Sequence, residues 1–304
     1  MNENFSGKTY VVTGATSGIG LAIAGELVRL GASVMGVGRS KERCSAAEQR
    51  LLAIDPQARV EYLCADLSLQ SQVRWLASCI REALASQGVD HLDGLVNNAG
   101  TFTYWQILSL EGFETQWAVN HLAPFLLTNE LLPLLKAAPA AKIVTVSSDS
   151  HYNARLDWND IQLRRHYNGL RAYEQTKLAN VLFTLELNRR LGAGSTLRAF
   201  AADPGLVKTD IGFKGGSGVA RWVWKLRREG GVAPEKSARG IVALLDEAVT
   251  QNSTAIYWKD GKPKQPGPRA VDVRSAGRLW ALSEQMCMIN TADQEILDEQ
   301  PVTL

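Results

Sequence analysis

Hydrophobic positions along this chain follow two periods. The stretch Lys8-Thr-Tyr-Val-Val-Thr13 is short, apolar and β-rich, whereas Leu21-Ala-Ile-Ala-Gly-Glu-Leu-Val-Arg-Leu30 repeats its apolar residues at helical spacing. Ser33-Val-Met-Gly-Val-Gly38 returns to the strand pattern. The alternation runs from residue 8 to about 201 and predicts strands near 9–13, 33–38, 60–64, 93–97, 142–147 and 196–201, with a further one at 255–258. Strands that alternate with helical segments argue for a parallel sheet with helices on both faces. The expected fold class is α/β, a doubly wound parallel sheet forming a single domain over 1–304. Length alone would admit two domains. No Pro- or Ser-rich linker and no internal repeat divides the sequence.

The first strand-to-helix connection is spaced Gly14-x-x-x-Gly18-x-Gly20. Glycines at such a turn let the backbone approach a pyrophosphate, and the helix that follows offers unpaired N–H groups and a favourable dipole. Gly14, Ser17, Gly18, Ile19 and Gly20 are therefore candidate cofactor residues, and the expected sheet is Rossmann-type. Their spacing differs from the Gly-x-Gly-x-x-Gly fingerprint. The second strand ends at Gly38, followed by Arg39-Ser40-Lys41. Sites that prefer NAD carry an acidic residue near this point to hold the ribose diol. Here a glycine takes that place, and the Arg39 guanidinium suits a 2′-phosphate. NADP(H) is the expected cofactor. NAD(H) is the alternative, with Arg39 then a solvated loop arginine.

The candidate chemistry lies at Tyr173-Glu-Gln-Thr-Lys177. In a helix this spacing puts phenol and ammonium on one face, with Cβ atoms about 5–6 Å apart. An unperturbed tyrosine titrates at about 10 and is a poor base at neutral pH. A cation held nearby favours the phenolate, and so raises the fraction able to exchange a proton with an alcohol or carbonyl. Taken alone, Tyr-x-x-x-Lys also describes a surface tyrosine beside a solvated lysine. The upstream segments give it weight.

Those segments occur in a fixed order. Thr13-Gly-x-x-x-Gly-x-Gly20 comes first, then Asp66 after the third strand and Asn97-Asn98-Ala99-Gly100 after the fourth. Asn120 follows on the next helix, Ser148 ends the fifth strand, and Tyr173-x-x-x-Lys177 and Pro204-Gly205 complete the series. With these motifs the chain resembles the short-chain dehydrogenase/reductase superfamily from about residue 8 to 288. It is most similar to the retinol dehydrogenase-like branch. The long segment between Ser148 and Tyr173, Lys177-Leu-Ala-Asn-Val-Leu-Phe183, Tyr257-Trp-Lys-Asp-Gly-Lys-Pro263 and Leu279-Trp280-Ala-Leu-Ser283 carry that likeness. Retinol dehydrogenases typically carry an N-terminal membrane segment, and with the first strand read at residue 9 such a segment is not expected in this sequence.

The resemblance implies roles for matching residues. Tyr173 would be the general acid in carbonyl reduction and the base in alcohol oxidation, and Lys177 would bind the nicotinamide ribose and bias the tyrosine. Ser148 would hold the substrate oxygen, with Ser147 pointed away by strand alternation. Asn120 would brace a water in a proton relay, Asp66 would meet the adenine, and Asn97 would fix the sheet beside the ribose. Thr209 would meet the carboxamide, and Leu67, Asn98, Ala99, Gly100, Pro204, Gly205 and Val207 complete the implied cofactor contacts. The superfamily also implies a substrate insert at about 149–172, a lid at about 206–232, and a homodimer through the segments near 112–136 and 173–191. Pro124 and Pro133 interrupt the first of these, which keeps a monomer open.

Composition removes other classes. A formal charge of +2 without a basic stripe gives no footprint for nucleic acid. Cys44, Cys64, Cys79 and Cys287 show no Cys-x-x-Cys pairing and His91, His121, His151 and His166 are scattered, so no metal site is expected. The thiols read as free cysteines in a reducing compartment. Residues 1–6 lack the basic and apolar parts of a signal peptide, and no run of 18 apolar residues occurs, so a soluble cytoplasmic protein is expected. Gly218-Val-Ala-Arg-Trp222-Val-Trp224-Lys-Leu-Arg-Arg228 mixes aromatics with cations, which suits a lid and also a membrane-surface contact. Trp158, Phe213, Trp222 and Trp224 would line an apolar pocket, or pack into the core. The expected activity is NADP(H)-dependent interconversion of an apolar carbonyl and its alcohol. The alternative is a nucleotide-binding sensor or scaffold with little turnover.

Overall fold

The computed structural model describes residues 5–205 and 232–289. Val207, Thr209, Phe213, Trp222, Trp224 and the expected lid, apart from its last residue, lie outside them.

Eight strands form one sheet in the order β3-β2-β1-β4-β5-β6-β7-β8. They are β1 Thr9–Thr13, β2 Ser33–Gly38, β3 Val60–Cys64, β4 Gly94–Asn97, β5 Lys142–Val146, β6 Arg198–Asp203, β7 Tyr257–Lys259 and β8 Lys262–Pro263. All pair in parallel except β8, which returns antiparallel on β7. Chain direction across the sheet reverses at β1, flanked by β2 on one side and β4 on the other. In such sheets ligands bind outside the carboxyl ends of the strands at this switch point.

The expected strands are present with ends shifted by one or two residues: the fourth and fifth are each one residue shorter, the seventh runs 257–259 rather than 255–258, and an eighth is added. The sixth runs from 198 to 203, two residues later than its pattern suggests, because Gly192 with φ +80° ends the preceding helix and the chain turns before pairing. The two-residue β8 has no period to read; a turn at Asp260 and Gly261, both at positive φ, creates it.

Helices cover both faces. Helices α1 (Gly18–Arg29), α2 (Lys41–Leu52) and α7 (Pro234–Val242) lie on one, where Val12, Val34, Val96, Val144 and Phe200 of the sheet meet Ile23, Leu27, Leu51 and Ile241. On the other, Val11, Met35, Leu95 and Ile143 meet helices α3 (Gln70–Ser86), α5 (Ala123–Ala137), α6 (Gly169–Leu191) and α9 (Val273–Cys287). Short pieces α4 (Thr115–Trp117) and α8 (Glu247–Thr250) complete the set among the described residues. Apart from the exposed two-residue β8, the strands thus send alternate side chains into two separate cores, as a sheet buried on both faces requires.

The C-terminal helix α9 closes the second face. Its N-terminus is capped by Asp272, which accepts from Ser275 N at 3.2 Å, and its Trp280 ring sits 5.0 Å from Phe125 and 5.9 Å from Phe183. Arg190 lies 4.4 Å from that ring, and His121 Nε2 is 2.9 Å from Ser283 Oγ. The apolar faces of α5 and α6, expected to carry a subunit contact, are therefore covered largely from within the chain. Trp158 belongs to this packing too: it is partly buried against the core, with Arg278 4.3 Å from its ring. Among the aromatics expected to line a pocket, Trp158 is a packing residue.

Trp280→Ala should remove the keystone of this closure. Truncating a buried tryptophan typically costs about 3–5 kcal/mol, so the urea midpoint of the variant should fall accordingly. An unchanged midpoint would show that α9 packs without it.

Candidate active site

The glycine turn leaves β1 with two residues in left-handed backbone, Gly14 at φ +67° and Gly18 at +55°, a region side-chain-bearing residues avoid. A Cβ at Gly20 would overlap the Gly14 carbonyl oxygen and Asn98 Nδ2. Thr13 ties the turn to β4. Its hydroxyl accepts from the N–H groups of Asn98 and Ala99, both at 3.0 Å, and donates to Val96 O at 3.3 Å, while Asn98 Nδ2 donates to Thr13 O at 2.8 Å. Ser17 and Ile19 open α1 within this turn, with Gly100 across from it after Ala99. Asn97, expected to brace the ribose side, instead donates to Thr128 Oγ1 at 3.1 Å, and its buried Oδ1 finds no donor.

On the adenosine side, Arg39 is exposed at the end of β2 and has no carboxylate partner among the described residues. Gly38 has a packing reason beyond the absent carboxylate: a Cβ there would overlap Thr16 Cγ2 and stand 2.7 Å from Cys44 Sγ. Asp66 follows β3, with its N–H on Gln72 Oε1 at 2.6 Å and its Oδ1 accepting from Ser68 N at 2.9 Å, next to half-buried Leu67.

Asn120 sits in a π turn, Ala118–Leu122, between α4 and α5. Pro124 has no N–H to return to the Asn120 carbonyl four residues back, which breaks the α ladder there and admits the wider turn. The side chain is 1% exposed and holds the backbone of Thr101 from both sides, accepting from its N–H at 2.7 Å and donating to its carbonyl at 3.0 Å. It also donates to Thr176 Oγ1 at 3.2 Å, which joins it to α6.

That helix carries the proposed acid. Asn168 caps it by accepting from Arg171 N at 2.9 Å, and α6 docks on the end of β5 by three bonds. Lys177 Nζ donates to Val146 O at 3.0 Å, Asn180 Nδ2 to the same oxygen at 3.2 Å, and Ser147 Oγ to Lys177 O at 2.8 Å. Ser147 thus points into α6, while the half-buried Ser148 on the opposite side caps a 3₁₀ turn through Ser150 N at 3.3 Å. The Lys177 ammonium lies 5.3 Å from the centroid of the Tyr173 ring, and Phe102 meets that ring edge-on at 5.9 Å.

Electrostatics correct one expectation. Burial raises the Tyr173 phenol above its ordinary value, and the Asp203 carboxylate adds to this. The same burial lowers the Lys177 ammonium to about 8, against a smaller opposing effect of Asp203. At neutral pH the pair is a protonated phenol beside a cation, suited to giving a proton. Asp203 ends β6, and the turn after it carries Pro204 and Gly205, the latter at φ +72° with its N–H on Asp203 Oδ1 at 2.9 Å.

The structure brings Tyr173, Lys177, Ser148, Asn120, the glycine turn and Pro204-Gly205 to one edge of the sheet. Sequence reasoning missed Thr176, the Val146 carbonyl and Asp203. The first two carry no side-chain signature of their role, and Asp203 was visible only as the residue before Pro204. A cleft of about 520 Å³ lined by Thr9, Ser33, Arg59, Glu61 and Gln87 opens at the opposite edge, away from these groups.

Known proteins share this fold and family. A family model described as short chain dehydrogenase matches residues 8–216. Human retinol dehydrogenase 13 is 36% identical over 290 residues, covering 92% of this chain and 84% of its own. Human dehydrogenase/reductase SDR family member 13 is 36% identical over 307 residues, covering 98% and 78%. Among solved structures, an uncharacterized protein from Mycobacterium paratuberculosis superposes with a TM-score of 0.72 at 35% identity, covering 94% of this chain and 95% of its own. A metagenomic short-chain oxidoreductase in complex with NADP gives 0.63 at 26% identity, covering 86% and 100%.

Proposed function

The chain belongs to the short-chain dehydrogenase family, and from that premise we propose that this NAD(P)-dependent oxidoreductase uses NADP(H) to interconvert an apolar carbonyl and its alcohol, with Tyr173 as the acid. The observation that carries the reading is the protonated phenol of Tyr173 beside the Lys177 ammonium and the aromatic ring of Phe102. Gly14 and Gly18 in left-handed backbone and Gly20 packed against the Gly14 carbonyl make a tight strand-to-helix turn that opens α1, and the free N–H groups of such a helix start suit a pyrophosphate, so the residues fit a dinucleotide. Arg39, exposed and without a carboxylate partner among the described residues, supports the phosphorylated form. A solved relative in complex with NADP supports it as well.

When bound, the nicotinamide supplies or accepts the hydride. The protein's part is to hold and protonate. The Ser148 hydroxyl donates to the substrate oxygen and stabilises charge developing there. Tyr173 gives its proton to that oxygen in reduction and takes one in oxidation. The Lys177 cation beside the ring stabilises the phenolate that proton donation leaves behind. Asn120, fixed between Thr101 and Thr176, keeps the loop after β4 against α6 and so holds Phe102 over the phenol. Phe102, 5.9 Å from the Tyr173 ring and in edge contact with Tyr104 at 4.8 Å, surrounds the phenol with aromatic carbon, which supports an apolar substrate.

Incubation with NADPH and a panel of apolar aldehydes and ketones, followed at 340 nm, tests the reading. Consumption of NADPH with at least one of them is expected. Tight binding without consumption would favour the sensor instead.

Tyr173→Phe should lower kcat by at least about 10²-fold, the scale of acid–base catalysis, with NADPH affinity little changed by equilibrium fluorescence. Near-normal turnover would remove the tyrosine from the mechanism. Arg39→Ala should weaken NADPH about 10- to 150-fold, the equivalent of a charge-assisted hydrogen bond of about 1.5–3 kcal/mol, and leave NADH nearly unchanged. Calorimetric titration showing equal losses for both would end the NADP assignment. The pH dependence follows from Lys177, lowered to about 8: it is charged below that pH and neutral above. Steady-state kcat/KM for reduction should therefore decline on the alkaline side of about pH 8. A profile flat to about pH 10, where an unperturbed lysine titrates, would contradict it.

A further inference from the structure

Beside the proton-exchanging pair, the same sheet edge holds a second group of charges. Asp149 directly follows Ser148; its Oδ1 accepts from Tyr257 Oη at 3.0 Å and Lys264 Nζ at 2.6 Å, and its Oδ2 from Lys259 Nζ at 2.5 Å. The same Lys259 Nζ lies 3.2 Å from Asp203 Oδ2. Asp203 is 4% exposed, and its Oδ2 has no hydrogen bond of ordinary geometry, so this ion pair is what compensates it. Burial and the neighbouring Asp149 raise the Asp203 carboxyl, while the two lysines hold Asp149 below the usual carboxylate range.

Their placement in the fold gives the bridge a purpose. Ser147 N donates to Ala202 O at 2.7 Å, and Asp203 is in register with Lys259, so the ends of β5, β6 and β7 lie side by side. Asp149 belongs to the turn that presents Ser148, and Asp203 to the turn that presents Pro204 and Gly205. Two carboxylates converging without a cation would repel or share a proton. Removing one partner of a buried pair leaves an uncompensated charge.

We infer that Lys259 is a positioning residue: by bridging Asp149 and Asp203 it fixes the Ser148 turn against the Pro204-Gly205 turn, and so sets where the substrate oxygen stands relative to the cofactor side of the site. The inference rests on the proposed reading of the site. Other charged or titratable groups facing the bridge are Lys264 and Tyr257 on Asp149, His151 one turn away with its ring 4.7 Å from Tyr257, Tyr152 with its ring 5.0 Å from Lys264 Nζ, Asp260 beside Lys259 with its carboxylate toward Gly205, and Tyr173 and Lys177, which sense Asp203 from α6. Positional errors of about 1 Å can cost about 10²-fold in rate, so the bridge bears on turnover more than on binding.

Lys259→Met and Lys259→Arg separate positioning from mere stability. Methionine should lower kcat per folded molecule at least about 10-fold with little change in the carbonyl KM, and arginine should recover most of it. The melting-temperature gap between wild type and Lys259→Met should widen from about pH 5 to pH 8. Without the cation the folded carboxyls titrate higher than in the unfolded chain, a proton can replace the cation at the lower pH, and stability is lost as that proton leaves. Hydrogen–deuterium exchange should quicken about 10-fold at both 148–152 and 203–205 in the methionine variant and return in the arginine variant. Unchanged turnover of the folded methionine variant, a gap independent of pH, exchange that stays at the wild-type rate, or arginine behaving as methionine would each overturn the inference. If the wild type itself reduced no carbonyl, the reading of the site would fail, while the exchange and melting results would still decide whether Lys259 clamps the two turns.

Discussion

One carbonyl oxygen organises this site. Val146 O, at the end of β5, receives both the Lys177 ammonium and the Asn180 amide, and the adjoining Ser147 hydroxyl answers by donating to the Lys177 carbonyl. A buried ammonium is costly unless it is hydrogen-bonded, and here the strand end supplies the acceptor. Helix α6 is thereby locked in one rotation against the sheet. With Lys177 turned inward to β5, Tyr173 one turn earlier lies on the same face of the helix, its ring 5.3 Å from the ammonium. Asn120 gains a partner in Thr176 by the same placement, and α9 has a fixed surface on which to lay Trp280.

Burial then decides the charge states. The dry surroundings that make Lys177 relinquish its proton more easily make Tyr173 hold its own more firmly. These opposite movements come from one cause, since desolvation disfavours whichever form carries charge. On the proposed reading this is the proton-donating state of the site, with the Lys177 cation placed to stabilise a phenolate. Asp203, buried at the end of the next strand, acts on both groups and is itself held by Lys259. The carboxyl edge of the sheet is thus a line of coupled charges rather than a set of separate residues.

Much of this was legible in the sequence wherever function depends on covalent spacing. The glycine turn, the four-residue step from Tyr173 to Lys177 and the alternation of strand and helix are local patterns. Local patterns survive into the fold because backbone geometry imposes them. What stayed hidden depends on distant pairing. Lys259 approaches Asp149 across 110 positions of sequence, and no period announces it. Gly38 was read for the carboxylate it lacks, yet Thr16 and Cys44 leave no room for any side chain there. Trp158 looked like a pocket wall because it lies in the segment before Tyr173; only the fold shows Arg278 stacked on it. The burial that raises the Tyr173 phenol has no trace in the sequence.

The claim on which the account turns is that Tyr173 is a protonated acid because it is buried. An ultraviolet titration at 295 nm, taken as the difference between the wild type and Tyr173→Phe, reads that phenol alone among the seven tyrosines. The account predicts no phenolate in the cofactor-free protein up to about pH 10, the ordinary value for tyrosine. A phenolate appearing between about pH 7 and 8 would contradict it, for Lys177 would then govern the proton and burial would not.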